Sequence, residues 1–395
     1  MTLPENEILN ALVARVFRIE DVTALDPKKG PLLRYRGHLL DDDSVAAYDR
    51  LAENLQTYGL TPLFRLEDGE QIIYLTRTPP PQKPANPWIN LGLFVLTVFS
   101  VMLAGANPEG PMPADLGGQL LALLKGIFTG WPFALSLMGI LVAHEFGHYL
   151  VSRYHKTPAS LPYFIPLPFP PLGTLGAAIL MKGIPKNKRI LFDIGVAGPL
   201  SGILVAIPVL LLGLSMSSLD KISATPTAFL EGNSLMYLLA KYLVFGKLLP
   251  EPATFHGLSP LLYWLRYFFT GHPSPVGGMD VFIHPVAFAG WAGLLVTALN
   301  LIPAGTLDGG HVVHALFGDG ARKAFPVIVA VLIALGFFWN GWWLWAALLF
   351  WLGRVNAETL DQITPLDPTR RVVALLVILL FVLVFTPVPF SIVQA

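Results

Sequence analysis

An apolar stretch from about residue 133 to residue 151 contains three ionisable side chains, those of His144, Glu145 and His148. A charge at membrane depth costs on the order of 2.5–3.5 kcal/mol, so such residues mark a functional site by default. On a helix, His144 and His148 share one face, one turn apart, while Glu145 is offset. The spacing therefore predicts two imidazoles on one metal ion and a carboxylate free to move a proton, as in a zinc hydrolase.

A chance match is the alternative, in which His144 and His148 are core histidines bonded to backbone carbonyls. Composition favours the membrane interpretation. Hydrophobic residues make up 54% of the chain and charged residues 13%, against about 25% in ordinary soluble domains. The absence of cysteine excludes disulfides and thiolate ligands, so a metal must be held by His, Asp or Glu. Because the formal net charge is zero, we expect no nucleic-acid partner.

The charge is concentrated at the start of the chain, where residues 1–80 carry 22 of the 52 Asp, Glu, Lys and Arg residues. Residues 1–78 are predicted to form a soluble α+β module, with strands near 32–39, 60–66 and 71–76 and a helix near 44–57. No motif in this module carries chemistry. Five prolines between residues 78 and 87 then predict a stiff linker over residues 79–87.

Hydropathy predicts seven apolar segments, at about residues 88–106, 133–151, 191–216, 285–303, 324–338, 342–352 and 372–386. Two further segments, residues 235–249 and 261–269, are short and interrupted by basic residues, which favours interfacial or re-entrant helices. The fold class expected is an α-helical polytopic membrane protein with about six to eight transmembrane helices and a short membrane-associated β element. Residues 88–320 are expected to form the core, and residues 321–395 the C-terminal transmembrane helices.

Basic residues predict the orientation of these segments, because cytoplasmic ends carry an excess of Lys and Arg. On this rule the N-terminus and the inner ends of the second and fourth segments are cytoplasmic. An early Glu5 and Glu7 and the lack of a basic start argue against a targeting peptide. The basic residues used are Arg153, Lys156, Lys182, Lys186, Lys188, Arg189, Arg322, Lys323, Arg354, Arg370 and Arg371.

A catalytic zinc site usually has three protein ligands, so a third must come from elsewhere in the chain. Asp308 is the candidate, because it follows the fourth segment at a depth similar to that of His148. Pro303 and Gly305 break the helix before it, and irregular backbone at membrane depth needs protein or water to satisfy it. An ordinary cytoplasmic loop with a turn-forming Asp-Gly is the alternative.

Together these residues resemble a known family. HEFGH at 144–148 and N-x-x-P-x-x-x-L-D-G at 300–309 are similar to the paired motifs of the site-2 protease family of intramembrane zinc metalloproteases (peptidase M50 type). The glycine-rich segment 195–202, the Pro-rich segment 162–176 and residues 232–234 particularly resemble its cyanobacterial and chloroplast branch. The similarity covers about residues 88–318.

The resemblance implies that His144, His148 and Asp308 bind Zn²⁺ and that Glu145 is the catalytic base. It also implies transmembrane proteins as substrates and a bacterial cell membrane or thylakoid membrane as the location. Many relatives carry Arg where this chain has His311, so a role carried by that Arg is not transferred. No inserted PDZ-like domain is visible in the sequence.

Two further roles are predicted from position. Asn300, near the Asp308 motif, is a candidate donor to the oxyanion of the tetrahedral intermediate, or else a helix-breaking residue bonded to a carbonyl. Residues 173–181 are a candidate edge strand that pairs with an unwound substrate, or else a surface loop. The spacing of Gly195, Gly198 and Gly202 predicts close helix packing.

Two other functions remain open. One is a membrane zinc protease of the prenyl-peptidase type, which would need a downstream glutamate motif that this chain does not show. The other is a metal-binding transporter or a catalytically silent relative of the same fold. Loss of activity on removal of Glu145 distinguishes an enzyme from a silent relative.

Overall fold

The structure, a computed structural model, describes residues 6–26, 30–80, 85–108, 113–223, 229–318, 320–352 and 358–392. Part of the predicted linker (residues 81–84) and Arg354 lie outside these ranges. The helices are α1 (Asn6–Val13), α2 (Ser44–Gln56), α3 (Pro87–Ala104), α4 (Leu116–Lys125), α5 (Trp131–Tyr154), α6 (Lys188–Ser215), α7 (Leu235–Phe245), α8 (Pro260–Thr270), α9 (Pro285–Asn300), α10 (Asp308–Phe317), α11 (Gly320–Leu335), α12 (Gly341–Leu352) and α13 (Pro368–Val384). The strands are β1 (Phe17–Ala24), β2 (Leu33–Leu39), β3 (Leu60–Glu67), β4 (Glu70–Arg77), β5 (Tyr163–Pro166), β6 (Thr174–Ala178), β7 (Ser218–Lys221), β8 (Phe229–Glu231), β9 (Met279–Phe282) and β10 (Phe390–Ile392).

The N-terminal module is a four-stranded antiparallel sheet in the order β1-β2-β4-β3. Helices α1 and α2 supply Val13, Leu51 and Leu55 to a core that also contains Tyr35 and Phe64. The predicted strands at 32–39, 60–66 and 71–76 and the predicted helix are confirmed. Helix α1 and strand β1 were not predicted, because strand β1 exposes most of its residues and so lacks a clear apolar alternation.

A connecting segment before α13, residues 358–367, joins this module to the rest of the chain. The Phe64 N–H donates to the Leu360 carbonyl (2.9 Å), and the Gln362 N–H donates to the Phe64 carbonyl (3.0 Å). On its other side the Leu360 N–H donates to the Pro185 carbonyl (3.0 Å), three residues before α6 begins. The connecting segment therefore ties the module directly to the start of α6.

Helices α5, α6 and α9 pack against one another and contain most of the buried residues of the largest apolar cluster. The C-terminal half of α5 lies beside the start of α6, because His148 contacts the Ile194 carbonyl. The far end of α6 lies beside the start of α9, where Gly213 faces Ala287. Helix α6 is thus antiparallel to both neighbours, and the C-terminal ends of α5 and α9 lie at the same level. The parallel course of these two segments is confirmed.

In the described part of the chain, three helical stretches are long and apolar enough to cross a membrane by themselves: Pro87–Ala104, Ile127–Tyr154 and Lys188–Ser215. The other predicted segments are helices as well, but shorter. Helices α7 and α8 have 11 residues each, which at about 1.5 Å per residue is roughly half of an apolar bilayer core. These two agree with the prediction of short, non-spanning helices. Helix α4 was not predicted.

Two small sheets lie at the end of α6 that is farthest from residue 188. Strand β7 pairs with β9 and strand β8 pairs with β10, both antiparallel. Strands β7–β10 together with α7 and α8 are called the distal cap below. This arrangement was not predicted, because each pair joins short strands that are far apart in the sequence.

The distal cap buries an ionic cluster. The Tyr237 hydroxyl donates to Glu231 Oε1 (2.7 Å), and Lys241 Nζ lies 3.5 Å from Asp280 Oδ1 and 4.5 Å from the centre of the Tyr237 ring. All four residues are buried. Two carboxyl groups therefore face one ammonium. Burial and the neighbouring Asp280 raise the pKa of Glu231 to about 7, although Lys241 and Tyr237 act in the opposite direction.

We expect the stability of the distal cap to depend on this carboxyl group. Because the folded pKa of Glu231 is raised, its contribution to stability is complete below about pH 4.5 and is lost as pH rises through about 7. In Glu231→Gln the side chain stays neutral. Between about pH 6 and pH 8.5, the melting temperature of this variant should therefore fall by several degrees less than that of the parent. Tryptophan fluorescence of detergent-solubilised protein measures the melting temperature, since the chain has nine Trp.

The matched control is Glu251→Gln, which makes the same chemical change at an exposed residue of the same region. Its pH dependence should equal that of the parent. A Glu231→Gln variant that loses stability with rising pH as steeply as the parent would contradict the assignment.

Candidate metal centre

Three ligand-type side chains converge between α5 and α10. His144 Nε2 and His148 Nε2 lie 3.2 Å apart, and each lies 3.3 Å from Asp308 Oδ2. Both histidines are buried, and Asp308 is nearly so. The three atoms form an almost equilateral triangle. Within the described residues, no other group of His, Asp and Glu side chains has this arrangement.

The triangle fits a tetrahedral zinc ion. Zinc–ligand distances of about 2.0–2.1 Å in a tetrahedral site place neighbouring ligand atoms about 3.3–3.4 Å apart. The hydrogen bonding of His148 agrees, because a carbonyl can only accept. His148 Nδ1 therefore carries the proton and donates it to the Ile194 carbonyl (2.7 Å). In the neutral imidazole this leaves Nε2 unprotonated, and its lone pair faces His144 and Asp308.

Glycines on α6 make room for the two imidazoles. A Cβ at position 198 would overlap His148 Nε2, and a Cβ at position 202 would lie 3.2 Å from His144 Nδ1. Gly195 faces His311 in the same way, with a Cβ position 2.9 Å from the His311 Cβ. The predicted close packing at these glycines is confirmed, and here it brings helix backbone directly against the histidine rings.

His144, His148 and Asp308 line a cavity of about 200 Å³. Glu145, Asn300 and His311 line it together with the three converging residues. Asn300 Nδ2 lies 3.3 Å from His144 Nε2, so the structure brings Asn300 to the site. His311 follows Asp308 by one turn of α10 and has a buried Nδ1 without a hydrogen-bond partner. Asp308 is the first residue of α10, not part of a loop as the alternative held.

Of the strand predicted at residues 173–181, the structure has the part Thr174–Ala178 as β6, whose one described partner is β5. Ala177, Ala178 and Ile179 line the site cavity. The Ile179 backbone N–H faces the Glu145 carboxylate. The strand therefore leads directly into the cavity beside Glu145.

An ion-pair network beside the site was not predicted. Asp193 on α6 pairs with His155 at the end of α5 and with Arg370 at the start of α13. A charged residue within the predicted third span was the available signal in the sequence. Its partners are distant in the sequence, so spacing alone does not identify them.

A larger groove of about 550 Å³ lies between α7, α8, α11 and α13. It is lined by apolar side chains such as Trp264, Phe268 and Phe381, and it contains no ionisable or amide group. Because bond hydrolysis needs polar groups that converge on one point, the smaller polar cavity is the candidate site.

Known proteins that are similar to this chain are named probable zinc metalloproteases. The chain is 28% identical over 405 residues to an Arabidopsis thaliana protein named probable zinc metalloprotease EGY2, chloroplastic. The aligned region covers 99% of this chain and 66% of the relative. It is 29% identical over 333 residues to a rice (Oryza sativa subsp. japonica) protein named probable zinc metalloprotease EGY1, chloroplastic, covering 78% of this chain and 51% of the relative. The chain thus spans between half and two thirds of the length of these relatives. No solved structure matches it significantly.

A family model also matches the region that holds the site. The model for peptidase family M50 matches residues 132–339, which include α5, α6, α9 and α10 and with them both motifs. This match covers more than half of the chain. The chain belongs to peptidase family M50.

Proposed function

We propose that this protein is a zinc-dependent intramembrane protease that cleaves peptide bonds within or near the transmembrane segments of other membrane proteins. The observation that carries the proposal is the triangle of His144, His148 and Asp308 next to Glu145, enclosed by apolar helices. Two histidines and a carboxylate leave the fourth position of a zinc ion open, as catalytic sites require. The relatives are named probable zinc metalloproteases, which agrees with this proposal.

The roles follow from the positions of the side chains. A zinc ion held by His144, His148 and Asp308 would supply a Lewis acid for water and for the scissile carbonyl. Glu145 lines the same cavity and accepts the proton of the attacking water, then returns it to the leaving nitrogen. The Asn300 amide donates a hydrogen bond to the developing oxyanion. The apolar helices around the cavity exclude bulk water from these groups.

We further propose that the shorter apolar helices complete a bundle of about six to eight spans. The N-terminal module then lies in the cytoplasm, on the same side as the start of α6 and the basic residues that flank it. The membrane is a bacterial cell membrane or a thylakoid membrane. The chloroplast relatives support this arrangement, as do the hydrogen bonds that the connecting segment makes both to the module and to the residues before α6.

The substrate is a transmembrane segment that must unwind before cleavage, because its amides are otherwise bonded within a helix. We propose that β6 binds the unwound segment by adding it as a strand. Support comes from the position of Ala177 and Ala178 on the cavity wall and from the Ile179 N–H, which faces Glu145 in the same cavity. A peptide on this edge lies beside Glu145.

Two substitutions test the metal site and the base separately. Glu145→Gln should lower cleavage of a single-span membrane substrate by at least about a hundredfold and leave the zinc content at one per chain, because it removes a proton acceptor and not a ligand. Asp308→Ala should lose most of the zinc. Elemental analysis and a cleavage assay on the same preparations measure both effects. A Glu145→Gln protein that cleaves at close to the parent rate would contradict the role of Glu145 as the base. An Asp308→Ala protein with full zinc would contradict Asp308 as a metal ligand.

A methyl group on α6 should also disturb the site. In Gly198→Ala the new Cβ overlaps His148 Nε2, so the ring must shift and zinc content should fall several-fold. Gly139→Ala on α5 is the control, since nothing lies within 4 Å of its Cβ position. Alanine in a helix is favoured over glycine by about 0.5–1 kcal/mol, so the control should be as stable as the parent or more so. Equal zinc content in both variants would show that His148 is not confined as described.

The strand proposal is tested at a position on the cavity wall. Ala177→Pro removes one backbone donor from β6, so cleavage of a helical membrane substrate should fall by about tenfold or more while zinc content stays near that of the parent. Ala177→Val keeps the amide and suits a strand, and it should retain most of the activity. If Ala177→Pro cleaves as fast as Ala177→Val at similar melting temperatures, the segment is only part of the cavity wall.

A further inference from the structure

Asp193 joins three helices at one point. Arg370 on α13 holds its carboxylate with two bonds, from Nε to Oδ1 (2.7 Å) and from Nη2 to Oδ2 (2.6 Å). His155, which caps the C-terminal end of α5, lies with Nε2 2.9 Å from Asp193 Oδ2. The same carboxylate therefore fixes α6 to the end of α5 and to the beginning of α13.

The residue after Asp193 contacts the metal centre. The Ile194 carbonyl accepts the hydrogen bond from His148 Nδ1 that directs Nε2 toward Asp308. Because one carboxylate holds α6 and α5 together at this turn, it also sets where the Ile194 carbonyl lies relative to the His148 ring. Asp193 is thus the residue directly before Ile194, whose carbonyl orients the His148 ring.

The pairing has the geometry of a strong interaction. Exposed ion pairs contribute little, but a bidentate Arg–carboxylate pair is directional and fixes the relative orientation of the elements that carry it. The side chains of Asp193, His155 and Arg370 are only 21%, 18% and 31% exposed. Arg370 Nη1 makes a separate bond to Asp367 (2.5 Å), which caps α13, and Nε and Nη2 bond to Asp193 without it.

We propose that Asp193 is a positioning residue of the metal centre, which holds the Ile194 carbonyl against His148 by clamping α6 to His155 and Arg370. The inference rests on the proposed function, in which His148 binds zinc. It assigns to Asp193 a part in metal affinity and not only in helix packing. Removal of a group that supports a metal ligand typically lowers metal affinity by roughly 10- to 100-fold.

The first measurement is the zinc dissociation constant, determined by competition with a chelating dye for the parent and three variants. Asp193→Asn should weaken binding by roughly tenfold or more, and Asp193→Glu, which keeps the charge, should restore most of it. Asp367→Asn is the matched control, because it makes the same chemical change at the other partner of Arg370, and Asn also caps helices. It should bind zinc as the parent does.

The second measurement does not depend on metal. Amide hydrogen exchange of the zinc-free protein should rise in residues 149–155 and 191–196 of Asp193→Asn, and not in those of Asp367→Asn. This result supports the clamp even if the parent binds no zinc, an outcome that would overturn the proposed function alone. Unchanged exchange in Asp193→Asn overturns the clamp. Unchanged affinity in Asp193→Asn, or an equal loss in Asp367→Asn, overturns the positioning role.

Discussion

The close contact between α5 and α6 is the constraint on which the site depends. Two imidazoles project from α5 toward α6; the His148 ring fits because position 198 is glycine, and glycine at position 202 avoids a tight contact with the His144 ring. The same contact provides the Ile194 carbonyl that selects the tautomer of His148. Helix packing, tautomer and ligand direction are therefore consequences of one interface between two helices.

Burial explains why these polar groups belong together. An unpaired polar or charged group in an apolar interior costs several kcal/mol, and the bilayer offers no water to replace a lost partner. His144, Glu145 and His148 are each at most 6% exposed. Three electron-rich atoms 3.2–3.3 Å apart repel one another unless a cation or a proton lies between them. The geometry thus describes a site organised around a positive charge, and its tetrahedral spacing specifies zinc-like ligation.

Local features of the fold could be predicted from the sequence, and long-range contacts could not. The spacing of His144 and His148 places them on one helical face, and the apolar runs predict the positions of α5, α6 and α9. The position of Asp308 after the fourth apolar segment and its motif both identify it as a candidate ligand, but its location at the first turn of α10 depends on how residues 301–307 fold. The connecting segment 358–367 pairs with the N-terminal module across about 300 positions of sequence, and no local pattern predicts such pairing.

Helix α6 carries the consequences of these long-range contacts. At its start, Asn187 caps the helix and the connecting segment pairs with the residues before it. Pro199 has no N–H, so the Gly195 carbonyl one turn earlier has no helical donor at the wall of the cavity. A helix weakened at that turn needs external contacts to keep its position. The ion pairs of Asp193 supply them from α5 and α13, next to the turn that orients His148. In the proposed metal centre, the alignment of His144, His148 and Asp308 would therefore depend on contacts from the connecting segment, α5 and α13 as well as on the two motifs.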